Sequence, residues 1–170
     1  MAERELTRQR EAEARTTGHY ETLLEEWALF RERARTGRTV LRGRELPWEQ
    51  GLQARAKFYL YPTIQDTSVK DWMVFVQDIR SHSGRHRHQG GLAIYVIEGK
   101  GWTTVDGERH DWEEGDLILL PVKPNGVIHQ HFNAEQGKPC KWLAFIYKPF
   151  LECTGNQMEQ MDESPDWKHV

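Results

Sequence analysis

The stretch "GRHRHQGGLAIYVIEGKG" (residues 84–101) carries two histidines one residue apart, a Gly-Gly step, and then an alternating run of bulky residues. Successive side chains of a strand point to opposite faces, so His86 and His88 share one face, a single pleat apart, and can grip a common ion. Following that parity, Leu92, Ile94 and Val96 line the same interior face as a pocket wall, whereas Arg85 and Arg87 point away from the ion and toward surface ion pairs. A second stretch, "PNGVIHQHFN" (residues 124–133), repeats the spacing with His129 and His131 and adds Asn133 in the same parity. Two such pairs, each beside a glycine turn, point to metal ligation more strongly than either alone.

Working outward, the chain has a hydrophobic period of two after residue 56. The runs "KFYLY" (57–61), "DWMVFVQDI" (71–79), "GWTTVDG" (101–107), "DLILLP" (116–121) and "CKWLAFIYKPF" (140–150) are short and rich in β-branched and aromatic residues. Gly, Pro, Asn and Asp punctuate them, the pattern of an antiparallel sandwich or barrel. Asp106-Gly107 supplies the two positive-φ positions of a tight hairpin turn.

Before this region the period is helical. Tyr20, Leu23, Leu24 and Trp27 fall on one helix face, with Thr17 or Gly18 as the cap and Gly37 beyond the end. Residues 1–16 show almost no apolar stripe and read as a frayed helix or disorder. Residues 35–55 mix Gly, Pro and charge as a connecting segment. The expected division is therefore a helical arm and linker over 1–56, a barrel over 57–150 and a polar tail over 151–170. The helix face either packs on the barrel or reaches across a dimer.

Composition narrows the function classes. The 170 residues carry a formal net charge of −3, which gives no basic field for nucleic acid. No apolar run is long enough to span a bilayer, and "MAERELTRQREAEAR" has no apolar core of a secretory signal, so a cytoplasmic location is expected. Cys140 and Cys153 do not form a disulfide framework.

The two histidine stretches resemble the two motifs of the cupin superfamily. The first is met by Gly84, His86, His88 and Gly99, the second by Gly115, Pro121, Gly126, His129 and Asn133. Leu92 stands where that family's first motif usually has a glutamate ligand. The resemblance implies an all-β fold, a single cupin jelly-roll barrel with the N-terminal helical arm, and a three-histidine centre of His86, His88 and His129. Three neutral imidazoles leave the ion its full charge and open positions. Within the superfamily, "HRH", "VIEGKG", "VDGE", "GDLILLP" and "HQHFN" are similar to gentisate 1,2-dioxygenase-like ring-cleaving enzymes, although Ile94 stands where those often have an arginine. That similarity implies iron(II), with O2 and a small aromatic or enolisable molecule as substrates, and a homodimer or higher homo-oligomer. His131 then serves as a catalytic base, a fourth ligand or a hydrogen-bonding support, and Asn133 braces the barrel mouth or touches substrate. Zinc, nickel, manganese or copper in the same triad would instead serve an oxygen-independent lyase, isomerase or hydrolase, or a ligand-binding module without catalysis.

Overall fold

The computed structural model describes residues 18–155 and 157–167. The expectations for residues 1–16 and for Thr17 as a cap lie outside these residues. These residues divide into two compact units, one holding residues 18–39 and 66–69, the other the remaining described residues from 40 onward.

In the first unit, helix α1 (His19–Thr36) starts after Gly18 and ends at Gly37, whose N–H donates to the Arg33 carbonyl at 2.8 Å. The chain leaves it as a single extended step. Arg38 forms a parallel bridge with Thr67, and its guanidinium meets the Asp66 carboxylate at 2.8 Å. The apolar face read from the sequence is present but exposed, with Tyr20 at 66% and Trp27 at 51%.

The second unit is built from two antiparallel sheets, and its strands are β1 (Glu49–Gln50), β2 (Arg55–Leu60), β3 (Trp72–Asp78), β4 (His86–His88), β5 (Leu92–Glu98), β6 (Lys100–Val105), β7 (Glu108–Glu113), β8 (Leu117–Leu120), β9 (Val127–Asn133), β10 (Lys141–Tyr147) and β11 (Glu159–Gln160). One sheet runs β1-β2-β3-β10-β5-β8 and the other β11-β4-β9-β6-β7. This is the jelly-roll barrel the alternating runs imply. In β5, Leu92, Ile94 and Val96 are buried while Tyr95 and Ile97 face out. Trp142, Ala144 and Ile146 of β10 join them from the neighbouring strand. Burial of side chains such as Ile94 and Val96 stabilises the fold by roughly 1.5–3 kcal/mol each.

The barrel extends further than the expected 57–150. The segment read as a linker supplies β1 and the start of β2. The segment read as a polar tail begins within helix α2 (Lys148–Cys153) and then adds β11 to the edge of β4. Both strands have only two residues, too few for an alternation to show, and pairing with a longer neighbour defines them.

Turns set the register. Asp106 and Gly107 adopt φ of 51° and 91°, and the Asp106 carboxylate accepts from the Ile128 N–H at 2.9 Å, tying this hairpin to β9. Gly90 follows the second ligand strand residue at φ 86°, and a Cβ there would lie 1.9 Å from the Pro121 carbonyl oxygen. Gly107 has the same sign of φ with open space around it. Gly90→Ala should therefore lower unfolding free energy by roughly 2–3 kcal/mol, against about 1 kcal/mol for Gly107→Ala. Urea titration of the two variants checks this, and equal losses would contradict the close-approach account.

Candidate metal centre

The centre is assembled by one strand pairing. Strand β4 consists of His86, Arg87 and His88, and it lies antiparallel to β9 with His86 opposite His129 and His88 opposite Val127. The period-two pleat turns both β4 histidines inward, and cross-strand pairing brings His129 against them. One ligand nitrogen from each of the three rings lies within 4.8 Å of the others, and all three residues are buried. His86 and His129 are closest, with ring centroids 4.1 Å apart.

Backbone contacts fix two of the rings. Nδ1 of His86 donates to the Gly84 carbonyl at 3.1 Å, and Nδ1 of His129 donates to the Val127 carbonyl at 3.2 Å. Each leaves its Nε2 lone pair free, the arrangement that orients a ligating imidazole. His88 is held the other way, its Nδ1 accepting from the Gly90 N–H at 3.0 Å.

Burial keeps these rings uncharged. It lowers the pKa of His86 despite the opposing Gly84 carbonyl. Burial, helped by the neighbouring His86, pushes His88 down to about 4. His129 is held well below the usual histidine range by burial and by His86, His131 and His88 around it. Neutral imidazole is the ligating form, so no proton has to leave these rings for a metal to enter at neutral pH, the Nδ1-accepting state of His88 apart. Among the described residues, no carboxylate joins the group. Leu92, at the position of the usual glutamate, is buried against the same space.

The three histidines line a cavity of about 390 Å³. Its other walls include Leu92, Ile94, Phe75, Trp142 and Ile146, with Met158 and Gln160 contributed by the C-terminal segment. A wider groove of about 730 Å³ runs along β7 and β8 beside Asp106 and Leu117, but none of the three histidines lines it.

The other candidate residues fall in different places. His131 lines the cavity beside Trp142, ring centroids 4.8 Å apart, but stands outside the group of three. Its Nδ1 is 2.8 Å from Thr103 Oγ1, which accepts from Trp112 Nε1 at 2.9 Å. Complete burial, with the neighbouring His86 and His88, pushes its pKa to about 3. So depressed, the ring is neutral at pH 7, and of the roles open to it as base, fourth ligand or hydrogen-bonding support, the contact with Thr103 is the one the structure displays. Val96 is buried in the core but does not line the cavity. Asn133 does not line it either. Its Nδ2 donates to the carbonyls of Ile79, Arg80 and Lys138 and its Oδ1 accepts from Glu135 N–H, so it knits loops together. Arg85 and Arg87 form surface ion pairs, with Asp162 at 2.9 Å and with Glu159. Sequence reasoning missed Gln77, Met158 and Gln160. Gln77 sits in a run that reads as continuously apolar, and the other two lie in the segment read as a tail.

A β-barrel with a buried three-histidine group at one strand pairing is the architecture of a metal cupin. Residues 73–146, a little under half of the chain, match the model of the cupin domain. Gentisate 1,2-dioxygenase from Streptomyces sp is 41% identical over 67 residues, covering 39% of this chain and 18% of that protein. Acireductone dioxygenase from Phaeosphaeria nodorum is 31% identical over 68 residues, 37% of each chain. Among solved structures, a salicylate 1,2-dioxygenase variant from Pseudoaminobacter salicylatoxidans in complex with gentisate superimposes with a TM-score of 0.53 at 19% identity, covering 67% of this chain and 31% of that one. The chain thus spans less than two fifths of the length of each of these proteins. The structural likeness is one of fold. Over this stretch the chain is similar to cupin dioxygenases, and its three-histidine group is one that could hold a metal ion.

Two measurements check the centre. His129→Ala removes the ring that touches both others, and metal content by mass spectrometry should fall below about a tenth of the wild-type value; full retention would remove these histidines from the ligand set. The pH dependence follows from the depressed pKa values. An unfolded chain takes up protons on these histidines near pH 6.5 while the folded one does not, so acid favours unfolding. The Tm of chelator-treated protein should fall from pH 6.5 down to about 4, where His88 titrates in the fold. A flat Tm over that window would show that the rings are not held neutral.

Proposed function

We propose that this protein is an Fe(II)-dependent dioxygenase acting on a small aromatic or enolisable compound. The observation that carries the reading is a ligand set of three neutral, buried imidazoles without a carboxylate, opening onto a largely apolar cavity. The dioxygenase relatives support the same class.

His86, His88 and His129 would hold the ion. Iron(II) so held supplies a Lewis-acidic, redox-active centre with open positions for a substrate oxygen and for O2. The chain's own residues do the rest. Leu92, Ile94 and Ile146 exclude water from the space in front of the histidines, which strengthens every polar contact made there. His131, neutral and with Nδ1 engaged by Thr103, presents its other ring nitrogen to the cavity wall as a fixed hydrogen-bonding group.

The same reading includes a homo-oligomer in the cytoplasm. Exposed Tyr95, Ile97, Leu117 and Leu119, on adjacent strands of one sheet, support the first. Cys140 and Cys153, both unpaired, support a reducing compartment. No helix among the described residues is long and apolar enough to cross a membrane.

The test is oxygen uptake by protein reconstituted anaerobically with iron(II), offered hydroxylated benzoates, catechols, hydroquinones and β-diketones in turn. One O2 consumed per molecule of a single compound class is the expected result. A fully loaded centre that consumes none with any of them would transfer the assignment to oxygen-independent Lewis-acid chemistry, for which three histidines suit zinc, nickel, manganese or copper as well.

A further inference from the structure

Among the described residues, no lysine or arginine lines the cavity in front of the three histidines, and the only carboxylate that does is Glu49, exposed on β1. The polar side chains that line it, apart from the histidines, are mainly carboxamides: Gln50, Gln53, Gln77 and Gln160. Two of these are linked, Gln77 Nε2 donating to Gln53 Oε1 at 3.3 Å, and Gln53 in turn reaches the Met158 sulfur. A row of carboxamides therefore runs from the barrel interior toward the C-terminal segment.

The inner end of that row is unsatisfied. Gln77 is 3% exposed and its Oε1 has no hydrogen-bond partner among the described residues. Trp142, also 3% exposed, has an Nε1–H in the same state. The two residues are direct cross-strand partners on β3 and β10, and both line the cavity, Trp142 beside His131. A buried acceptor and a buried donor side by side, each without a partner, are a standing cost to the fold. A hydroxyl group admitted between the paired strands would relieve both by donating to the carboxamide oxygen and accepting from the indole N–H, once the two side chains turn toward the cavity they line.

We infer that Gln77 and Trp142 form a subsite for an uncharged hydroxyl or carbonyl group, and that the cavity selects neutral hydroxylated or carbonyl compounds over carboxylates. This rests on the proposal that the cavity is the substrate site. A carboxylate placed against these walls, away from the ion, finds no cation and leaves a buried charge unpaired, whereas a neutral polar group finds a carboxamide at each step. Of the compound classes above, catechols, hydroquinones and β-diketones fit this wall, and hydroxylated benzoates fit it less well. Gln77 is the specificity-determining residue and Trp142 its companion donor.

The test is binding to the chelator-treated, metal-free protein, by calorimetry, with three probes of one shape: benzyl alcohol, toluene and benzoate. Benzyl alcohol should bind roughly five- to ten-fold more tightly than toluene, the effect of one or two buried hydrogen bonds, and more tightly than benzoate. Gln77→Leu should erase the preference for the alcohol over toluene without weakening toluene. Trp142→Phe, which keeps an aromatic ring, should reduce that preference in part. Benzoate binding more tightly than benzyl alcohol would overturn the inference, as would a preference unchanged in Gln77→Leu. So would a loss of thermal stability in Gln77→Leu with selectivity intact, since Gln77 and Trp142 would then be satisfying only each other. An enzyme that binds as expected yet consumes no oxygen would leave the subsite standing and remove only the dioxygenase reading.

Discussion

Everything in the centre depends on the register between β4 and β9, which sets His86 directly opposite His129. Side chains alternate along a strand, so a slip of one residue would turn both β4 histidines to solvent and bring Arg85 and Arg87 inward. A three-residue strand cannot hold its register by itself. The structure pins it from the adjoining loop, where Ser83 N–H donates to the His131 carbonyl at 2.8 Å and Ser83 Oγ accepts from the His131 N–H at 2.9 Å. On its other edge β9 is paired along five positions with β6, and Asn133 fastens its end to three carbonyls.

The same packing sets the chemistry of the rings. Imidazoles in water spend much of their time charged near pH 6.5, and four of them this close would repel one another. Enclosure by Leu92, Ile94 and Trp142 makes the charged state costly for each ring before the neighbours add their share. The ring nitrogens are thus kept in the form that can share an electron pair. Apolar walls and donor nitrogens are two outcomes of one enclosure, and neither would survive a wetter barrel.

Much of this was legible in the sequence because a strand's periodicity of two is visible in eighteen residues. The shared face of His86 and His88 and the outward course of Arg85 and Arg87 follow from parity, whereas the companionship with His129 came from the resemblance of the two histidine stretches to a known pair of motifs. Parity gives a face and not a depth, so Leu92, Ile94 and Val96 read alike although Val96 lies beyond the cavity. It also cannot tell a pocket residue from a brace, which is why Asn133 read as either one. Gln77 was hidden by its apolar neighbours in "DWMVFVQDI", and β1 and β11 by their brevity. The apolar stripe of α1 is a true helical pattern, but nothing in its spacing says what covers it.

The alternation in β4 has one more consequence. Its even-numbered positions face the ion site, while Arg87 and the adjoining Arg85 hold the C-terminal segment through Glu159 and Asp162. That segment brings Met158 and Gln160 to the cavity and touches none of the three ligand rings through its ion pairs. The inner and outer faces of the same short strand therefore carry separate tasks. Substitutions at Met158 or Gln160 would reshape the opening while the donor atoms beneath stay as they are.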